Sequence, residues 1–184
     1  MAFPPIARAT LQAALINAGS NVLAQVIGAY RDERPFQLDN QALFQFTTCA
    51  FILSPLTFLW LEGLESKFPG YNDNSAPSPK TEKPKQKPKL NVTNTVAKIV
   101  IDQIVGGAWN TAAFIMTMGF LRGQDWESIV QQIQKDFWPI LVAGFKLWPI
   151  VSILNFTVVP TEKRLLVGSL FGVLWAVYLS LMSG

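Results

Sequence analysis

The sequence contains no histidine and a single cysteine, and only 15% of its 184 residues are charged. The lack of histidine excludes imidazole acid–base catalysis and histidine metal sites. Cys49 cannot form an internal disulfide by itself, and a lone cysteine in an apolar segment is typical of a small packing residue. No residue pattern in the chain supplies a catalytic mechanism. We therefore expect a protein that is not an enzyme and that uses no metal and no cofactor.

Long apolar runs are what the sequence has instead. Hydrophobic residues make up 50% of the chain, and the mean hydropathy is +0.28. Five apolar segments lie at about residues 6–30, 42–64, 96–121, 137–159 and 165–182. Each is close to the roughly 20 residues that a bilayer-spanning helix needs. The sequence predicts an all-α bundle of four to five membrane helices that forms one membrane domain over residues 1–184. Pro55 and Pro149 are predicted to kink their helices, because neighbouring helices tolerate such kinks in membranes.

Residues 67–94, between the second and third segments, are rich in proline, serine, asparagine and lysine. This composition cannot bury a core and predicts a disordered basic loop. Its lysines either contact acidic lipid headgroups or only fix the orientation of the chain. We expect no nucleic-acid binding, because neither a folded basic face nor an aromatic platform accompanies the lysines. Further along, residues 125–136 have apolar side chains at helical spacing, which predicts a short amphipathic helix at the membrane interface.

The distribution of charge favours five crossings. If all five segments cross, the lysine-rich loop lies on the same side as Lys98, Lys163 and Arg164. The basic residues of the other side alternate with acidic ones, so the arrangement follows the positive-inside rule. If the fourth segment, which contains Lys146, does not cross, Lys163 and Arg164 change sides and the charge bias weakens.

Polar residues recur on one face of two apolar segments and are the candidate functional residues. Four-residue spacing places side chains on the same helix face. The two stripes either line a water-filled path or form hydrogen bonds between helices. Asp102 must face protein or water, because a carboxylate in hydrocarbon is costly. The residues assigned to a candidate pore are Asn17, Asn21, Gln25, Asp102, Asn110 and Lys146.

Two further contacts are suggested by position. Asp102 is a possible ion-pair partner of Lys146, and Lys98, one turn away, is the nearer alternative. In the last segment, Gly168, Gly172 and Ala176 form a ridge of small residues. Such a ridge permits close helix packing, either within the bundle or between subunits.

The C-terminal third of the chain has a motif made of Trp138, Pro139, Lys146, Trp148, Pro149, Asn155, Phe156, Pro160, Arg164 and Trp175. This motif and shorter ones upstream resemble those of the twenty-two-kilodalton peroxisomal membrane protein (Mpv-type) family. That family also contains mitochondrial inner-membrane proteins and a fungal Woronin-body sorting protein. The resemblance covers nearly the whole chain apart from the loop, and its specific part is C-terminal. Departures from the family pattern include Asn21, where the family usually has aspartate, and Ser152, where glutamine is common.

The resemblance implies a small integral membrane protein with four spans, located in peroxisomes or mitochondria. Some members of the family are described as pores, and others as organisers of organelle membranes. Our functional hypothesis is a weakly selective channel for small solutes, with Lys146 near the constriction. The alternative is a non-conducting scaffold or sorting protein. The expected partners are the lipid bilayer, small solutes if the protein is a pore, and either a second copy of the chain or another protein of the organelle membrane. We expect the peroxisomal membrane, with the mitochondrial inner membrane as the alternative.

Overall fold

The computed structural model of the chain describes residues 4–71 and 89–182, with side chains through residue 178. Six helices account for most of these residues, and a short 3₁₀ turn, Thr161–Lys163, precedes the last. The predicted all-α membrane fold is confirmed. The helices are α1 (Pro5–Arg31), α2 (Asn40–Lys67), α3 (Val92–Leu121), α4 (Trp126–Gly144), α5 (Trp148–Thr157) and α6 (Arg164–Met182).

Three of these helices begin at a side-chain cap that local sequence supplies. Asp39, Asn91 and Asp125 accept hydrogen bonds from backbone amides in the first turns of α2, α3 and α4, at 2.9, 3.0 and 3.1 Å. Such caps satisfy amides that have no partner inside the helix. The Ser128 side chain and then its backbone amide hold the pKa of the Asp125 carboxyl below its ordinary value. The starts of α2, α3 and α4 are thus fixed locally.

Helix α3 contains one π-helical turn, Asp102–Gly106, between two α-helical stretches. A π-turn has one more residue per turn than the surrounding helix, so it changes which face the following residues present. Such turns occur frequently at functional sites. The only ionisable residue of this turn is Asp102, at its first position.

The fourth apolar segment differs from its predicted form. Residues 126–144 form the single helix α4, so the predicted amphipathic helix and the start of the predicted span are continuous. The chain then breaks at residues 145–147, and α5 continues at 56° to α4. Pro149 lies at the second position of α5, and its ring would clash with the carbonyl of residue 145 if the helix were continuous there. The kink predicted at Pro149 is confirmed.

Long-range contacts show which helix ends lie together. At one end of the bundle, Gln45 Nε2 near the start of α2 donates to the Leu121 carbonyl at the end of α3, at 3.2 Å. At the other end, the Tyr71 hydroxyl just beyond α2 donates to the Thr157 carbonyl at the end of α5, at 2.9 Å. Since α4 starts just after Leu121, the bent pair α4–α5 runs from one end of the bundle to the other.

Helix length and apolar composition identify α2 and α3 as candidate membrane spans among the described residues. The bent pair α4–α5 is a third if it counts as one span. Five crossings therefore remain a prediction. The surface of the bundle fits a bilayer, since large apolar side chains such as Leu15, Phe44 and Trp138 are about two-thirds exposed.

Helix α2 packs against α1, α3 and α6 and is the centre of the bundle. Small clusters of buried apolar side chains lie along it. Cys49, which is 2% exposed, packs there with Leu53 and Met118, as predicted for a packing residue. Phe58 packs with Ala13 of α1 and with Leu165 of α6.

The predicted disordered loop, residues 67–94, lies mostly outside the described residues. The segment between the two helices is shorter than predicted, since α2 extends through Lys67 and α3 already begins at Val92. The two ends are joined, because the Asn91 amide donates to the Gly70 carbonyl at 2.8 Å and Tyr71 bridges to Leu90.

Candidate functional site

A hydrogen-bonded network around Asp102 joins three helices inside the bundle. Its carboxylate accepts from Trp60 Nε1 of α2 at 3.0 Å and from the Ser152 hydroxyl of α5 at 2.5 Å. Gln103 Nε2 donates to the same Ser152 oxygen at 2.8 Å. Both carboxylate oxygens thus face protein, as predicted. We call Asp102, Trp60, Ser152 and Gln103 the Asp102 network.

A glycine makes room for this network. Gly106 lies one turn after Asp102, at the end of the π-helical turn. A β-carbon at this position would lie 2.9 Å from both Asp102 Oδ1 and Trp60 Nε1, closer than real β-carbons approach other atoms. A residue larger than glycine does not fit at position 106, because the Trp60–Asp102 hydrogen bond occupies the space that its side chain would need.

A second polar cluster lies where α2 ends and α3 and α6 begin. Glu65 Oε2 pairs with Lys98 Nζ and with Arg164 Nη1, each at 2.6 Å. Its other oxygen accepts from the Gly70 amide at 2.7 Å. Lys98 is fully buried and Arg164 is 3% exposed. We call Glu65, Lys98 and Arg164 the ion triad. Since each residue comes from a different helix, the triad fixes the relative positions of α2, α3 and α6.

Two residues of the C-terminal motif complete this cluster. The ring of Phe156, 1% exposed, lies 5.2 Å from Lys98 Nζ and 5.1 Å from the Arg164 guanidinium carbon. Cations over an aromatic face are stabilised most where water is excluded. Arg164 Nε also donates to the Asn155 carbonyl at 2.9 Å. The motif residues Asn155, Phe156 and Arg164 thus form one structural unit.

Both ion pairs that the sequence suggested for Asp102 are wrong. Lys98 pairs with Glu65 instead. Lys146 lies in the break between α4 and α5, and its ammonium group donates to the Tyr178 hydroxyl at 3.2 Å. The physical reason is that Trp60 and Ser152, from two other helices, already occupy the carboxylate of Asp102. Sequence spacing cannot show those partners.

The polar stripe of α1 makes mostly local contacts. Asn17 Nδ2 donates to the Ala13 carbonyl at 2.9 Å, and Gln25 Nε2 donates to Asn21 Oδ1 at 2.8 Å. Gln25 also accepts from the Asp39 amide at 2.7 Å, which ties the end of α1 to the start of α2. These contacts are of the kind expected for hydrogen bonds that hold helices and loops together, and the role of the stripe in a pore stays a prediction.

The stripe of α3 faces α2. Asn110 Nδ2 lies 3.5 Å from the Thr57 hydroxyl, at the limit of a hydrogen bond. Near it, Trp109 Nε1 is buried and has no hydrogen-bond partner among the described residues, and the same holds for Ser20 Oγ of α1. Buried polar groups of this kind are commonly satisfied by water in proteins.

The two glycines of the small-residue ridge on α6 make no close contact within the described part of the chain. A β-carbon at Gly168 or Gly172 would meet no atom within 4 Å. The interpretation that this ridge packs closely inside the bundle is therefore wrong at its two glycines, because no described neighbour lies near enough to need the missing side chain. Close packing of Gly168, Gly172 and Ala176 against another subunit stays a prediction.

Sequence reasoning missed the ion triad. The sequence indicates Lys98 and Arg164 only as charges on the positive side, and it assigns no role to Glu65. A signal was present, since all three lie beside long apolar runs and Arg164 belongs to the C-terminal motif. Their pairing was not visible, because Glu65 and Arg164 are 99 residues apart.

Comparisons with known proteins agree with the resemblance. The profile of the Mpv17 / PMP22 family matches residues 119–180. "Protein sym1" of Schizosaccharomyces pombe is 27% identical, over 91% of this chain and 72% of its own length. "PXMP2/4 family protein 3" of Dictyostelium discoideum is 27% identical, over 97% of this chain and 84% of its own.

A third relative, the "Mpv17-like protein" of Bos taurus, is 30% identical over 67% of this chain and 53% of its own length. No solved structure gives a significant match. The matched region 119–180 contains the α4–α5 break, Asn155, Phe156 and Arg164, which are the structural elements built from the C-terminal motif. Residues 119–180 thus match the Mpv17 / PMP22 family of membrane proteins, and relatives of that kind align with most of the chain.

Proposed function

We propose that this protein is a weakly selective channel for small solutes in an organelle membrane. The observation that carries the proposal is the Asp102 network, in which a half-buried carboxylate lies inside a candidate span where α2, α3 and α5 meet. Ionisable residues within spans are costly to insert and commonly mark ion or solute pathways.

Two other features support this proposal. The π-helical turn at Asp102 interrupts the regular geometry of α3, and the break before α5 interrupts that of the bent pair α4–α5. Irregular backbone at membrane depth is tolerated where it is buried in protein or lines a water-filled cavity. The partnerless polar atoms of Trp109 and Ser20 are further groups that water would satisfy.

Conductance of the purified protein in planar bilayers tests the proposal. We expect discrete openings, and we expect Asp102→Asn to lower the preference for cations, measured as a shift in reversal potential, because it removes the negative charge. Glu62→Gln is the matched control, since Glu62 is an exposed carboxylate of the same helix that supplies Trp60. The absence of conductance at every voltage and redox condition would contradict a channel.

A non-conducting scaffold or sorting protein is the second proposal, and the open face at Gly168 and Gly172 favours it. Small residues on a membrane helix permit close approach of another helix. Replacing both glycines by leucine should then reduce crosslinking to a second copy or to another membrane protein. Gly19→Leu is the control, because Gly19 is also open but lies on α1.

We propose the peroxisomal membrane as the location, with the mitochondrial inner membrane as the alternative. The support is the lysine-rich segment beside the spans, which is compatible with insertion signals of peroxisomal membrane proteins. Added trypsin should cut this segment first in intact organelles, if it faces the cytosol as the positive-inside rule predicts. Co-fractionation with mitochondria would instead favour the alternative.

A further inference from the structure

An apolar groove of about 300 Å³ runs along the outer face of α2 towards the end of that helix. The α2 residues that line it recur every three to four positions and so share one helix face. From the first to the last of them the groove extends about 12 Å along the helix axis. Its lining includes Leu59, Trp60, Gly63, Leu64 and Lys67 of α2 and Ile101 of α3.

The groove exists because a side chain is missing at its centre. Gly63 is exposed, and a β-carbon there would meet no atom within 4 Å. Leu59, on the same face, is 54% exposed. Since α2 is a candidate membrane span, this groove opens to the bilayer. An acyl chain fills such an apolar groove more favourably than water does.

A positive charge lies at one end of the groove. Lys67 is the last residue of α2, so it lies where the span reaches the membrane surface, and its side chain is exposed. Among the described residues no carboxylate forms an ion pair with Lys67, and the nearby Glu65 is already paired with Lys98 and Arg164. The charge of Lys67 is therefore available to an anion at headgroup level.

We propose that this groove binds one acyl chain of an anionic phospholipid and that Lys67 binds the phosphate of its headgroup. The apolar walls favour an acyl chain, and the absence of a side chain at Gly63 leaves room for that acyl chain. Lys67 favours an anionic headgroup. Trp60 lines the groove and also donates to Asp102, so the bound lipid contacts a member of the Asp102 network.

Native mass spectrometry of the detergent-purified protein tests this site. Phosphatidylglycerol and phosphatidylcholine with identical acyl chains are titrated separately. We expect one phosphatidylglycerol to bind each chain in preference to phosphatidylcholine. Lys67→Gln should weaken phosphatidylglycerol binding roughly fivefold, the effect of about one basic residue near a membrane surface. It should weaken phosphatidylcholine binding less, because the choline cation of that lipid already neutralises its phosphate.

Two substitutions separate the parts of the site. Gly63→Leu should fill the groove and remove the tight binding of both lipids, whereas Gly19→Leu, on α1, should not. Lys163→Gln is the charge control, because Lys163 is exposed at the same end of the bundle. The elution volume in gel filtration and the thermal midpoint show whether each variant is folded. If Gly63→Leu does not fold, Gly63→Val is the substitution that fills the groove with a smaller side chain.

Three results would overturn the proposal. One is equal affinity of Lys67→Gln and Lys163→Gln for phosphatidylglycerol, which would mean that Lys67 has no specific role in binding the headgroup. Another is unchanged binding by a folded groove-filling variant, which would show that the lipid lies elsewhere. The third is full displacement by glycerol phosphate, which has the headgroup anion and no acyl chain, and which would show a site for soluble phosphate.

Discussion

Single residues in this bundle are constrained most where charge is buried. Lys98 and Arg164 are almost inaccessible, and Glu65, whose side chain is 23% exposed, is the carboxylate that neutralises both. A buried ion pair adds little net stability compared with apolar packing, but removing one partner leaves the other charge uncompensated. The two cations thus depend on one acidic side chain.

Glu65→Gln should therefore destabilise the protein by about 3 kcal/mol, the lower part of the range for breaking a buried pair, because Glu65 is partly exposed. The free energy of unfolding can be measured by titration with denaturing detergent and followed by tryptophan fluorescence. Glu62→Gln removes an exposed carboxylate one turn earlier and should change the stability little. Equal effects of the two substitutions would contradict a structural role for the triad.

Gly106 is constrained by space rather than by charge. Gly106→Ala places a methyl group 2.9 Å from both atoms of the Trp60–Asp102 hydrogen bond, so one of them must move. We expect a loss of about 1–3 kcal/mol, as for other overpacked sites, together with a change in tryptophan fluorescence.

Gly19→Ala is the matched control for Gly106→Ala, because its β-carbon meets nothing. It should leave the protein unchanged or gain about 0.5–1 kcal/mol from better helix propensity. A neutral Gly106→Ala would show that Trp60 and Asp102 need not be in contact.

At the scale of elements, two prolines in the α4–α5 pair have different effects. Pro139 lies inside the uninterrupted helix α4, whereas Pro149 follows the break at residues 145–147. A proline near a helix start is tolerated because the first amides have no intrahelical partner. The two prolines therefore differ in their position relative to the start of a helix: Pro149 lies in the first turn of α5, and Pro139 lies in the interior of α4.

Pro149→Ala should allow residues 145–147 to become helical and should reduce the 56° bend between α4 and α5. Distances between spin labels placed at the two far ends of the pair should then increase. Pro139→Ala should leave them unchanged, because α4 is continuous through that position. An unaltered distance in Pro149→Ala would assign the bend to packing against other helices.

For the whole molecule, the contacts at the two ends of the bundle make a topological prediction. The bent pair starts beside the end of α3 and finishes beside the end of α2. In a membrane, the start of α4 and the turn before α6 should therefore lie on opposite sides.

Single cysteines at the exposed positions Glu127 and Glu162 test this topology with a membrane-impermeant thiol reagent. Only one of the two should react from a given side of sealed vesicles. Cys49 is buried and provides a silent background. Reaction of both from the same side would mean that the bent pair enters and leaves on one side, which is the four-span arrangement that the family resemblance implies.

The sequence by itself determined the class of fold, the positions of the apolar segments and the kink at Pro149. It also determined that Asp102 must avoid lipid and that Cys49 packs in the interior. These properties depend on local composition and on the energetic cost of charge in hydrocarbon, so they can be deduced without knowing any partner.

Only the tertiary structure decided which polar side chains meet. Glu65 pairs with residues 33 and 99 positions away, and Asp102 with residues 42 and 50 positions away. Several partners were chemically possible for each group, as the incorrect Asp102–Lys146 pair shows. The packing of the helices determines which of these partners each group meets. A buried charge is stable only beside partners that neighbouring helices bring within hydrogen-bond distance.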